Sequence, residues 1–94
     1  MLHDCSPDVT KNAVARLRKQ WRYRNNPPLS EWPNVPQNSI VCRDDRVVNP
    51  EWSHDVARRL AIDVAELPGG HSPFLSRPRE LAKLLVSLSL GEAA

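Results

Sequence analysis

Pro68-Gly69-Gly70-His71-Ser72-Pro73-Phe74 is the stretch on which the reading of this chain turns. It follows a partly alternating run, Ala61 to Leu67, in which Ile62, Val64 and Leu67 are apolar, and it precedes a segment with leucines at helical spacing. A Pro-Gly-Gly turn between a strand and a helix presents its histidine to solvent or to a partner rather than packing it. Upstream, Arg43-Asp44-Asp45-Arg46 forms a second loop, directly after the apolar run Ser39-Ile40-Val41-Cys42. Each strand-like run therefore ends in a loop, one carrying acids and the other a base.

The segments between and beyond these loops read as helices. Asn49 is an N-cap residue with Pro50 at the first helical position, opening a helix through about Leu60. Pro78 opens another to about Leu90, with Leu81, Leu84, Leu85 and Leu88 expected as its buried stripe. The order from Ser39 onward is strand, helix, strand, helix. With connections this short, that order predicts a parallel sheet with right-handed crossovers. The unbroken apolar run Ser39–Cys42 predicts a strand buried on both faces. In such sheets functional groups collect at the carboxyl ends of the strands, where both loops fall.

The first part of the chain is less regular. Residues Met1 to Pro7 read as a loop, and Asp8 is expected to cap a helix to about Gln20 with Val9, Ala13, Leu17 and Val14 on one face. Its other face is basic. Tyr23 to Asn38 is rich in proline and asparagine and reads as an irregular connection. Trp32 and Trp52 are expected to pack, the latter against the acid loop. There are no internal repeats and no low-complexity segment.

A length of 94 residues supports one small domain. Such a chain buries only about 60–65% of the surface its unfolded form exposes. The net charge of +2 identifies no partner, although Lys11, Arg16, Arg18, Lys19, Arg22 and Arg24 crowd the first quarter. Cys5 and Cys42 are too few for a disulfide framework and lack metal-site spacing, which favours reduced thiols. No leader pattern is visible at the start, and no apolar run approaches the roughly 20 residues that span a bilayer. A cytoplasmic location with no membrane partner is the expectation.

A histidine acting as general base needs one ring nitrogen free and a carboxylate on the other. His71 and Asp45 are the candidates. Asp44 competes for the orienting role, but adjacent residues point different ways, and Asp44 reads as a solvated partner of Arg43 or Arg46. Phe74, beside His71, reads as a wall of a substrate pocket or as plain packing. His3, Asp4 and Cys5, or His54 with Asp55, would need a second pair at ligand spacing to form a metal site, so no metal is expected. The interleaved basic and aromatic residues from Arg16 to Arg24 read as a helix end whose cations suit the dipole, with no nucleic-acid partner.

At this point a family resemblance carries the same residues further. Ile40-Val41-Cys42-Arg43-Asp44-Asp45-Arg46-Val47-Val48-Asn49-Pro50 resembles the strand, acid loop and helix start of α/β-hydrolase fold enzymes. Cys42 departs from that pattern, which usually has glycine three positions before the triad acid. Leu67 to Ala82 resembles the family's histidine loop and terminal helix, in the branch of esterases that includes plant methylesterases and hydroxynitrile lyases. His3-Asp4-Cys5-Ser6-Pro7-Asp8 and Ala15-Arg16-Leu17-Arg18 resemble the last part of the helical cap in this branch.

The resemblance implies an α/β fold, the C-terminal part of an α/β-hydrolase parallel sheet with two strands and about three helices, incomplete as a stand-alone fold. Residues 1–38 would be the end of the cap and a connecting loop, and residues 39–94 the C-terminal part of the core. It implies hydrolysis of an ester or related carbonyl substrate, without a cofactor, with Asp45 as triad acid, His71 as triad base and Phe74 against the substrate. The small-molecule substrate would be bound once an N-terminal half completes the fold. The family's nucleophile sits in a Gly-x-Ser-x-Gly elbow, a pattern that does not occur here. The chain alone is therefore expected to be inactive. A second reading is a non-catalytic remnant or small binding module that uses its basic N-terminal helix. In either case uncovered strand edges and helix stripes would favour self-association.

Overall fold

The computed structural model describes residues 1–20 and 30–91. The first helix, α1, spans Pro7–Ala15 and is capped by Ser6, whose hydroxyl accepts the Val9 N–H at 3.3 Å. Asp8, expected as the cap, lies instead in the first turn. Proline is preformed for the first helical position, so Ser6-Pro7 outcompetes it, and the Asp8 carboxylate still favours the dipole. The helix also ends five residues before the expected Gln20. None of its residues is buried, and Val14 and Leu17 are exposed. Val9, Thr10 and Ala13 are only half-buried, so packing adds little to the helix's intrinsic propensity, and Arg16, Arg18 and Lys19 repel one another beyond its end. The Trp21–Arg24 part of the basic stretch, and the connection from Tyr23 through Leu29, lie outside the described residues.

Strand β1, Asn38–Cys42, leads through the acid loop to helix α2, Pro50–Arg59. Asn49 Oδ1 accepts the Glu51 N–H at 2.9 Å, the expected cap. Asp55 pairs with Arg58 and Arg59 one turn on, adding local support. Strand β2, Asp63–Leu67, returns parallel to β1 in the register Asn38↔Asp63 through Cys42↔Leu67. Helix α2 packs on both strands. Only Val41, Ala57, Ala65 and Leu67 are buried hydrophobic residues among those described. Ile40 and Cys42 are only half-buried, so β1 is not covered on both faces as the unbroken apolar run predicted. Two strands are too narrow a sheet for a second covering layer.

Helix α2 closes in a Schellman turn. The Ala61 N–H donates to Arg58 O and the Ile62 N–H to Ala57 O, with Ala61 at φ +54°. Glycine is the usual occupant because a Cβ is penalised in this region. Ala61→Gly is therefore expected to raise stability by about 0.5–1 kcal/mol, read as a higher urea midpoint at unchanged slope.

The last helix is preceded by an element that the sequence pattern did not reveal. Residues Pro73–Ser76 form a single turn, α3, before α4, Pro78–Ser89. The leucine stripe of α4 is not buried. Leu81, Leu84 and Leu88 are half-buried, and Leu85 is exposed. Trp32 and Trp52 are likewise exposed, at 59% and 60%, rather than packed. An α/β arrangement with a two-stranded parallel sheet, open edges and an uncovered helix stripe is incomplete as a stand-alone fold. No described helix is long and apolar enough to cross a membrane.

Candidate active site

Both strands end at the same edge of the sheet, and the parallel register brings the loops that follow them side by side. The ladder continues past β1: the Arg43 N–H donates to Leu67 O at 2.9 Å and the Asp44 N–H to Gly69 O at 3.0 Å. Asp45 then turns inward. Its Oδ1 accepts the N–H groups of Val47 and Val48 at 2.8 and 3.0 Å, which fixes the plane of the carboxylate. Its Oδ2 faces His71 Nδ1 at 2.9 Å. The Asp45 side chain is 11% exposed and that of His71 35%. The Asp45 carboxylate is thus held from behind, and the imidazole remains open on its outer side.

Burial pushes the Asp45 carboxyl up, but the Val48 N–H, His71 and the Val47 N–H together outweigh it and hold it below its ordinary value. An ionised carboxylate only accepts, so the Nδ1–H donates to it and, in the neutral ring, Nε2 carries the lone pair. That arrangement suits an imidazole that takes up a proton at Nε2 and is stabilised as imidazolium by the carboxylate at its back.

The Asp4 carboxyl is also held below its ordinary value, chiefly by the N–H of Gly70. Groups depressed in the folded state take up protons more readily when the chain unfolds. The stability they contribute is full above the ordinary carboxylate range and is lost as the pH falls through that range to the lower folded-state values. Urea midpoints are expected to hold near neutrality and to fall as the pH drops through the carboxylate range. Asp45→Asn is expected to flatten the fall.

Asp44 does not pair with Arg43 or Arg46 as its sequence context suggested. Its Oδ2 accepts the Gly69 N–H at 2.8 Å, while Arg43 reaches Glu66 at 3.8 Å. The strand ladder places Asp44 directly beside Gly69, and a short backbone contact wins over a long, exposed ion pair. Gly69 is required there: its φ is +98°, and a Cβ would lie 2.3 Å from Arg77 Nε. Asp4, read in the sequence as a metal candidate and as part of the cap-like stretch, accepts the Gly70 N–H through Oδ2 at 2.8 Å. Neither contact had a sequence signal, since one joins residues 25 apart and the other residues 66 apart.

Two open cavities flank His71. One, of about 640 Å³, is lined mainly by apolar side chains, with Leu2, Val14, Leu17 and Phe74 among them. The other, about 290 Å³, lies over the strand ends and is lined by Cys42, Asp45, Ser53 and Phe74. Phe74 is 62% exposed and borders both. Cys42 brings a thiol to that second cavity, but burial and the charges of Asp45 and Asp4 push its pKa up, which disfavours the thiolate a nucleophile needs. The remaining metal candidates are drawn apart: His54 Nε2 meets Glu66 at 2.9 Å, while Asp55 faces Arg58 and Arg59. Among the described residues no group of three or more His, Cys, Asp or Glu side chains is placed to hold a metal.

Parallel strands joined by a helical crossover, with a carboxylate on one strand end facing a histidine on the next, make this an α/β protein. A model of the alpha/beta hydrolase family matches residues 2–84, and the chain belongs to that family. No curated protein and no solved structure matches it.

Proposed function

We propose that the chain supplies the acid and the base of a serine-type acyl-transfer site. Asp45 orients His71, whose Nε2 takes the proton of a serine hydroxyl as that oxygen attacks the carbonyl carbon of an ester or related substrate. The imidazolium then returns the proton to the leaving alcohol, and a water deprotonated by the same nitrogen releases the acid. No cofactor enters this chemistry. The observation that carries the proposal is the Asp45–His71 contact of 2.9 Å with the other carboxylate oxygen fixed by two backbone N–H groups.

The nucleophile must come from outside these 94 residues, since no Gly-x-Ser-x-Gly elbow occurs in them. The backbone N–H groups of the oxyanion hole go with that elbow, so the chain alone is inactive in this reading. Residues 1–38 contribute the end of a cap and the apolar groove beside Phe74, which receives the organic part of the substrate. The protein acts in the cytoplasm, without nucleic-acid or membrane partners. Until a complementary half covers the strand edges and the α4 stripe, the chain self-associates.

The test is complementation. The chain is mixed with an N-terminal α/β-hydrolase half bearing the elbow serine, and hydrolysis of p-nitrophenyl acetate is followed. Turnover is expected in the mixture but not with either part alone, and His71→Ala is expected to abolish it. Turnover by the chain alone that disappears in His71→Ala would refute the claim of inactivity. Turnover in the mixture that survives His71→Ala would refute the role of His71.

A further inference from the structure

We propose that Asp4 is a positioning residue for His71. The inference rests on His71 being the base and extends that reading to a side chain far away in sequence. The two residues before His71 are both glycines, so the segment delivering the imidazole has little stiffness of its own. Both of their N–H groups are taken by carboxylates. Asp44 Oδ2 accepts from Gly69 and Asp4 Oδ2 from Gly70, each at 2.8 Å. One carboxylate comes from the end of β1 and the other from just ahead of α1, so the loop is gripped from two independent parts of the chain.

The backbone on either side of Asp4 is itself held. The Cys5 N–H closes a turn onto Leu2 O at 3.1 Å, and the Ser6 cap begins α1 immediately after it. The close approach depends on glycine, because a Cβ at Gly70 would lie 2.8 Å from Asp4 Oδ1 and 2.7 Å from His3 Cε1. A hydrogen bond to an ionised acceptor is among the stronger kinds, so the contact can hold a glycine loop in one place. The ring is then set at hydrogen-bonding distance from Asp45 by three carboxylates acting together. Asp4 acts on His71 only through the backbone.

The experiment is nuclear magnetic resonance on the isotopically labelled full chain. In the unmodified protein a through-hydrogen-bond coupling is expected between the Gly70 amide nitrogen and the Asp4 side-chain carbon. A protected His71 Nδ1–H resonance is expected as well. Asp4→Ala is expected to speed exchange of that Nδ1–H with water by roughly tenfold or more, while amide protection at Ala65 in β2 stays unchanged. Asp4→Asn keeps an oxygen acceptor for Gly70 and is expected to restore the slow exchange. Unchanged Nδ1–H exchange in Asp4→Ala overturns the inference. If Ala65 also loses protection in that variant, the coupling in the unmodified chain decides: its presence supports the inference and its absence overturns it. Asp45→Asn separates the two levels. If it leaves the Nδ1–H resonance intact, the acid–base pair itself fails; if it removes the resonance while Asp4→Ala does not, only the role of Asp4 fails.

Discussion

In the complemented enzyme, Asp45→Asn is expected to lower kcat by roughly 10³–10⁴-fold, with little change in KM. The amide retains an oxygen that accepts from the Val47 and Val48 N–H groups, which Asp45 Oδ1 now serves at 2.8 and 3.0 Å. It then turns its NH₂ toward His71 Nδ1. That nitrogen must become an acceptor, the ring proton moves to Nε2, and the imidazole can no longer take a proton from the nucleophile. The fold is preserved, and the tautomer is wrong. Asp44→Asn is the control on the neighbouring position. Its amide oxygen still accepts the Gly69 N–H, and Asp44 makes no contact with the ring, so an effect under about tenfold is expected. Steady-state kinetics on both variants decide which of the adjacent acids orients the base. Equal losses would sink the assignment to Asp45.

Gly69→Ala is expected to cost about 2–3 kcal/mol of stability and to disturb the histidine loop together with the fold. A φ of +98° lies outside the region where an alanine sits without strain, and such backbone strain alone costs on the order of 1–3 kcal/mol. The added Cβ would also meet Arg77 Nε at 2.3 Å and Asp4 Oδ2 at 2.7 Å. Relieving these contacts pulls on the carboxylate that holds Gly70. Gly70→Ala makes the comparison, because its backbone is not in the left-handed region and its Cβ meets only the ends of the His3 and Asp4 side chains. It is expected to cost about 1 kcal/mol or less while loosening the loop. Urea unfolding of both variants gives the order. A Gly70→Ala variant less stable than Gly69→Ala would show that side-chain crowding, rather than backbone conformation, governs this turn.

Much of the local architecture was legible because it is written in neighbouring residues. Asn49-Pro50 announces a cap and a first helical turn, and the structure places both there. The apolar runs before the acid and histidine loops become β1 and β2, and the short connections make them parallel. What misled the reading was burial. The leucines of α4 have helical spacing, but spacing states only which side chains share a face, not whether another layer covers them. Leu85 and Trp52 are exposed for that reason, and α1, none of whose residues is buried, stops at Ala15.

The sequence by itself determined the family, the order of strands and helices, and the placing of an aspartate and a histidine at adjacent strand ends. Periodicity, caps and turn chemistry act over a few residues, so they survive in any partial view of the fold. Only the tertiary structure decided that Asp45 reaches the ring while Asp44 holds Gly69. It also decided that Asp4, 66 residues from Gly70, grips the same loop. Those outcomes depend on parallel register and on where a distant carboxylate comes to rest, quantities that no short stretch of residues encodes.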